Sequence, residues 1–279
     1  MKKIVVILTS TVVLFTTMAW AQNNISDLHK YILYPTVRLR SIDGVGSGVI
    51  FSSATQKDGF ADTYIITNYH VISSGISIVD EWNSLTKKIE KKEKRATVEV
   101  EIFKYMNVSI ATGTLLILAD IVEWNKDHDL ALVKLRSDEL MEPVKKLSKA
   151  RVNALRIFQP IYVCGAGLGR PPFPTNGQIS SLQEELENLP FWMINAPAVF
   201  GNSGGGTWLA DSLEYIGIPS RISITFLGWS PNAVYHMTYI IPITRIYDWL
   251  DETGWSMVYD KDAKTHDEWL EEQKKLEKK

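Results

Sequence analysis

From Tyr34 onward the apolar residues fall in short runs with strand-like alternation, separated by polar and glycine-rich turns. Thr36-Val37-Arg38-Leu39-Arg40 alternates apolar and polar side chains, as a half-buried strand must. Gly44 to Phe51 and Thr63 to Thr67 read as two further strands around a polar turn. Val98 to Ile102, Ala111 to Val122 and Leu130 to Leu135 complete a set of six, enough for a small antiparallel barrel. A second set follows a connector around Pro143 to Lys149. It comprises Pro160 to Cys164, Gly177 to Ser180, Trp192 to Asn195, Thr207 to Leu209, Tyr215 to Ile218 and Met237 to Ile241. Two barrels of about a hundred residues each make two domains in one body. The pattern turns helical only after Pro242, where Ile243, Ile246, Tyr247 and Leu250 share one face. Beyond Lys261 the chain is mostly charged and reads as a weakly docked helix or a frayed tail.

The charge run Lys87 to Arg95 carries both signs and only Ile89 as an apolar residue. It reads as a solvated helix or loop rather than a binding strip. Over all 279 residues the net charge is -2, which gives no electrostatic reason to expect nucleic acid as a partner. Five histidines and one cysteine, without a His-Glu-x-x-His or Cys-x-x-Cys motif, speak against a metal site, and no cofactor is implied. Gly165-Ala166-Gly167-Leu168-Gly169 follows a strand but is no dinucleotide motif. Arg170 stands where a third glycine belongs, and Pro171, Pro172 and Pro174 forbid the helix that would meet the phosphates.

The first 21 residues read as a signal peptide: Lys2 and Lys3, an apolar Ile4 to Phe15, and the small-x-small Ala19-Trp20-Ala21. Cleavage after Ala21 predicts a secreted or periplasmic protein without stable membrane insertion; a retained N-terminal anchor is the alternative. An exported Cys164 has no partner for an internal disulfide, so packing alone must hold the fold.

Three short segments carry chemistry. Thr67-Asn68-Tyr69-His70-Val71 ends one apolar strand, and Asp129 opens another in Asp129-Leu130-Ala131-Leu132-Val133. Ser203 lies in Gly201-Asn202-Ser203-Gly204-Gly205. His, Asp and Ser in that chain order match one known arrangement of the nucleophilic triad. A nucleophilic serine needs a tight turn that also aims backbone N–H groups at one point, and glycines permit it. Gly201 and Ser203 are the candidate oxyanion donors. His70 is the candidate general base, and Asp129, beside an apolar run, the carboxylate that orients it. His236 and His266 lack such a context.

These blocks, with Gly46-Ser47-Gly48-Val49-Ile50, Gly177-Gln178-Ile179-Ser180, Tyr215-Ile216-Gly217-Ile218 and Tyr239-Ile240-Ile241-Pro242, make the chain resemble the trypsin-like serine endopeptidases. The closest branch is the HtrA-like one that lacks disulfides, and the stretch after Leu250 is too short for its PDZ module. The resemblance covers about Tyr34 to Leu250. It implies an all-β protein of two perpendicular six-stranded antiparallel barrels with a C-terminal helix. The domains would be residues 22–140 with His70 and Asp129, 141–250 with Ser203, and a charged 251–279 end. It further implies a Ser203 acyl-enzyme and a protein or peptide substrate; a catalytically silent peptide binder of the same fold is the alternative. In relatives the base of the primary pocket lies six residues before the nucleophile, here Pro197, so basic side chains are not expected there. Relatives that prefer Glu carry a histidine where this chain has Pro219. With Phe200, these residues predict a pocket for a small or medium apolar side chain.

Overall fold

A computed structural model describes residues 25–56 and 59–276; the expected signal segment lies outside the described residues. The first barrel is built from β1 (Thr36–Arg40), β2 (Val45–Thr55), β3 (Ala61–Thr67), β6 (Val98–Met106), β7 (Ile110–Asn125) and β8 (Leu130–Leu135). It closes antiparallel in the order β1-β2-β3-β8-β7-β6. Between β3 and β6 the chain adds a separate two-stranded sheet, β4 (Ile76–Asn83) and β5 (Lys88–Arg95). The second barrel contains β9 (Pro160–Gly165), β10 (Phe173–Leu186), β11 (Leu189–Ile194), β12 (Gly206–Leu209), β13 (Tyr215–Leu227) and β14 (Ser230–Pro242). Its order is β10-β11-β14-β13-β12-β9. The architecture is all-β with two closed six-stranded barrels, as the strand runs predict.

Side-chain alternation explains how the barrels join. Along β2, β3 and β8 every second residue (Ile50, Ile65, Ala131 and Val133) packs into the first barrel's core with Val37, Leu39 and Val100. Their neighbours Val49, Phe51, Tyr64, Ile66, Leu130 and Leu132 pack outward, against Ile161, Val163 and Tyr215 of the second barrel. These three strands are therefore buried on both faces. That is why they read as nearly unbroken apolar runs instead of clean alternations.

The charge run Lys87 to Arg95 corrects one expectation: from Lys88 onward it is strand β5, not a helix or loop. Every one of its residues is exposed, and each pairs in register with β4, from Ile76 opposite Arg95 to Asn83 opposite Lys88. With no buried face there is no apolar period to betray a strand. At the other end, Ile243–Glu252 forms helix α2, with α1 being the short turn Tyr69–Ile72 beside β3. Ile243, Ile246, Tyr247 and Leu250 are buried as expected, and the Tyr247 hydroxyl donates to the Leu147 carbonyl at 2.8 Å. The charged end forms a docked helix, α3 (His266–Leu276). Its His266 ring stacks on Trp255 at 4.1 Å, and Trp269 covers Gly254 so closely that an added Cβ would sit 2.3 Å away. Thr265 and Glu268 exchange side-chain to backbone hydrogen bonds at its start, a capping box.

Candidate active site

β3 ends at Thr67, and the chain turns at once into α1, which carries His70. Asp129 stands at the tip of the tight turn before β8 with a φ of +54°, a left-handed backbone that a non-glycine residue adopts only when held there. It is held. The Asn68 side-chain amide donates to the Asp129 carbonyl at 2.9 Å, and the Asp129 N–H reaches the Lys126 carbonyl at 3.2 Å. The Asp129 side chain then grips His70 twice, accepting from the His70 backbone N–H at 3.1 Å and lying 2.9 and 3.0 Å from Nδ1. A carboxylate can only accept, so Nδ1 carries a proton, and in the neutral imidazole Nε2 is then the acceptor. The burial is unequal in the useful sense: Asp129 is 8% exposed, whereas the His70 side chain keeps 48% of its surface open. A third grip comes from the other barrel, where the Ser220 hydroxyl of β13 donates to Asp129 Oδ2 at 2.7 Å.

Ser203 sits in the loop between β11 and β12. Gly201 and Gly204 on either side have φ values of +97° and +83°. A Cβ on Gly204 would lie 2.1 Å from the Ser47 carbonyl oxygen, and one on Gly201 would lie 2.6 Å from that of Ala166. Both glycines are required by space as well as by backbone angle. One buried residue of β2, Ser47, organises this loop. Its hydroxyl donates to the Gly201 carbonyl at 2.6 Å and accepts the Ala166 N–H at 2.7 Å, while its own N–H donates to the Ser203 carbonyl at 2.8 Å. The Phe200 carbonyl accepts the Leu168 N–H at 2.7 Å. In a trans peptide the carbonyl and the following N–H point opposite ways, so this bond turns the Gly201 N–H away from Leu168. Among the described residues neither the Gly201 nor the Ser203 N–H is spent on a backbone acceptor.

The three segments predicted from sequence come together. His70 and Ser203 line one cleft of about 250 Å³, with Asp129 behind His70. The Ser203 hydroxyl makes no hydrogen bond to His70 among the described residues; contacts of this kind tighten when substrate fills a cleft. The rest of the wall joins apolar Ala198, Val199, Phe200, Pro219 and Ile222 to polar Asn202, Ser220, Arg221 and Thr238. Phe200 and Pro219 line this cleft. Pro197 does not line the cleft: it is exposed, with its carbonyl accepting the Thr175 hydroxyl at 2.7 Å. Sequence reasoning missed Ser47 and Ser220, whose partners are distant in the chain. The Gly-Ser-Gly block at the start of β2 is the signal that could have found Ser47. His236 is exposed on β14, and His266 packs on Trp255. The one cysteine is no rival nucleophile, because complete burial pushes the Cys164 thiol up to about 12. No group of His, Cys, Asp and Glu suited to a metal ion occurs among the described residues.

The family model for the trypsin-like peptidase domain matches residues 46–218, a span that contains His70, Asp129 and Ser203. The chain belongs to the trypsin-like peptidase family. No curated protein matches this peptidase. Among solved structures it is similar to Deg5, with a TM-score of 0.55 at 20% identity over 82% of this chain and 92% of that one. A serine endoprotease from Yersinia pestis gives a TM-score of 0.54 at 20% identity, covering 82% of this chain and 65% of that one. The MamO protease domain from Magnetospirillum magneticum gives 0.55 at 18% identity, covering 80% and 99%. At such identities the likeness is one of fold.

Proposed function

We propose that this trypsin-like peptidase is an active, exported serine endopeptidase with His70, Asp129 and Ser203 as its triad. The observation that carries the reading is the double grip of Asp129 on His70, at Nδ1 and at the backbone N–H, in the cleft that holds Ser203. His70 Nε2 takes the Ser203 proton as Oγ attacks the substrate carbonyl. The developing oxyanion lies against the N–H groups of Gly201 and Ser203, and Asp129 stabilises the imidazolium. His70 then hands the proton to the leaving amine, which breaks the peptide bond and leaves an acyl group on Ser203. Water, deprotonated by His70, releases that acyl group and restores the site. The apolar wall of Ala198, Val199, Pro219 and Ile222 fits a small or medium apolar side chain before the scissile bond. Export rests on the basic and apolar start of the sequence, ending in Ala19-Trp20-Ala21.

The test is labelling by a fluorophosphonate probe and cleavage of unfolded casein, each compared with Ser203→Ala. The wild type is expected to show both, and the substitution to remove labelling and about a million-fold of turnover. Cleavage unchanged by Ser203→Ala overturns the assignment. Peptide binding by a wild type that neither labels nor cleaves identifies the silent peptide binder instead.

A further inference from the structure

Helix α2 buries a cation among its apolar residues. Arg245 is only 5% exposed, beside the buried Ile243, Ile246 and Tyr247 of the same helix. It stands in the first turn, where the helix dipole opposes a positive charge. Among the described residues it has no carboxylate within ion-pair distance, and its Nε has no hydrogen-bond partner. Burial pushes the guanidinium down to about 10, so it keeps its charge at neutral pH. A buried cation without a paired anion is among the costlier groups a fold can hold. Its contacts lead to the triad. Nη2 donates at 3.1 Å to the carbonyl of His128, the residue directly before Asp129, and Nη1 donates to the Pro190 carbonyl at 3.0 Å. The Arg221 and Arg245 guanidinium groups both lie over the Phe191 ring, 5.4 and 4.7 Å from its centroid. Arg221 is already paired with Glu187 at 2.8 Å, and the carboxylate whose charge reaches Arg245 is that of Asp129.

We infer that Arg245 is a positioning residue of the triad: from the second barrel's helix it fixes the turn that presents Asp129 and sets a buried positive charge behind the carboxylate. The inference rests on the triad reading for its chemical consequence. Asp129 favours the imidazolium form of His70, and a cation behind Asp129 works against it. His70 is then the free base, the form that can take the Ser203 proton, down to lower pH than Asp129 alone would allow. The other titratable groups around the pair are Tyr69 of α1, Lys126, Asp127 and His128 of the Asp129 turn, and Arg221 and Glu187 of the second barrel. Lys126 and Asp127 are exposed and of opposite sign, and Glu187 offsets Arg221. Arg245 is left as the uncompensated charge, and it reaches the first barrel through one carbonyl, that of His128.

The experiment titrates the His70 imidazole in the full chain by proton–nitrogen NMR and, beside it, follows kcat/KM for unfolded casein against pH. Arg245→Met, similar in length but uncharged, should move the His70 midpoint and the acid limb of kcat/KM upward by about half a pH unit or more. On the acid side that is a loss of about threefold or more, with the alkaline plateau less affected. Arg245→Lys keeps the charge and should leave both midpoints within about 0.2 unit of the unsubstituted chain. Apolar residues of similar volume often replace buried ionic groups without loss of the fold, and Arg245→Gln repeats the test if the methionine variant does not fold. A change in stability alone lowers the amount of active protein and moves neither midpoint. Unmoved midpoints in the uncharged variants, or an equal shift in Arg245→Lys, overturn the inference. So does failure of both uncharged variants to fold, which would make Arg245 a residue of the fold alone. Fluorophosphonate labelling of the unsubstituted chain reads the endopeptidase assignment separately. An NMR shift without labelling removes only hydrolysis, whereas labelling without a shift removes only the role of Arg245.

Discussion

The His70 side and the Ser203 side of the cleft are held by different kinds of bond. On the first, a side chain takes part in every bond: Asp129 grips His70, Ser220 grips Asp129, and the Asn68 amide fixes the backbone of the turn that presents Asp129. On the second, main chain mostly holds main chain, through the Ser47 N–H on Ser203 and the Leu168 N–H on Phe200, with the Ser47 hydroxyl and the Asn202 amide oxygen as side-chain contacts. A side-chain scaffold fails when a functional group changes at constant shape. A backbone scaffold is blind to such changes and fails when a methyl group enters where none fits.

The largest effect expected from this contrast belongs to Asp129→Asn. The substitution keeps the shape but offers Nδ1 an N–H donor, so it favours the imidazole tautomer with the proton on Nε2. Turnover should fall about ten-thousand-fold, with the thermal midpoint nearly unmoved. A melting shift as large as that of a core truncation would mean that Asp129 serves the fold more than the chemistry. On the other side, Gly204→Ala should behave in the reverse way. Its new Cβ meets the Ser47 carbonyl and the Thr67 hydroxyl at 2.1 and 2.2 Å, at a φ of +83°. The loop must shift, which should cost roughly a hundred-fold or more in fluorophosphonate labelling rate together with about 2–4 kcal/mol of stability. Unchanged labelling in a stable Gly204→Ala protein would show that the loop yields without moving the donors.

The same division governs what could be read from the sequence. The six strands of the first barrel and the helix after Pro242 were legible because each buries a face, and burial imposes a period on the residues. β5 was illegible for the opposite reason, since a strand exposed on both faces need not alternate. The outer half of β13 does alternate, through Ile222, Ile224 and Phe226, yet lies beyond the block Tyr215 to Ile218 on which the strand assignment rested. At the cleft, His70, Asp129 and Ser203 were legible because chemistry fixes their residue types and glycine marks the nucleophile's turn. Ser47 and Ser220 were not, because a serine's role is set by partners 154 and 91 positions away. Pro197 was placed by counting back from the nucleophile, and counting does not say whether its side chain lines the cleft.

Ser47→Ala is the next test in size, and it bridges the two scaffolds. It removes a buried side-chain group but disturbs a backbone: the Gly201 carbonyl loses its donor and the Ala166 N–H its acceptor. Each unsatisfied buried group costs about 1–3 kcal/mol. If the loop relaxes to relieve them, the Gly201 N–H drifts from the oxyanion position, and kcat should fall roughly ten- to a hundred-fold with KM nearly constant. The Ser47 N–H still holds Ser203, so the labelling serine itself stays in place. A loss confined to KM would instead place Ser47's influence on the pocket wall.

Ser220→Ala should have the smallest effect, and its smallness is informative. Asp129 Oδ2 loses the hydroxyl at 2.7 Å but keeps the His70 Nδ1 contact at 3.0 Å, while Oδ1 keeps both of its His70 contacts. The carboxylate is therefore still aimed after the loss of one hydroxyl donor, a bond to a charged group worth about 1.5 kcal/mol at the low end of its range. A fall of about tenfold in kcat/KM corresponds to that energy. Side-chain scaffolds of this kind are redundant: several bonds fix one carboxylate, and removing any outer one is tolerated. If Ser220→Ala costs as much as Asp129→Asn, the redundancy is absent. The link from β13 would then be what orients Asp129, making the His70 side as dependent on the second barrel as Ser203 is.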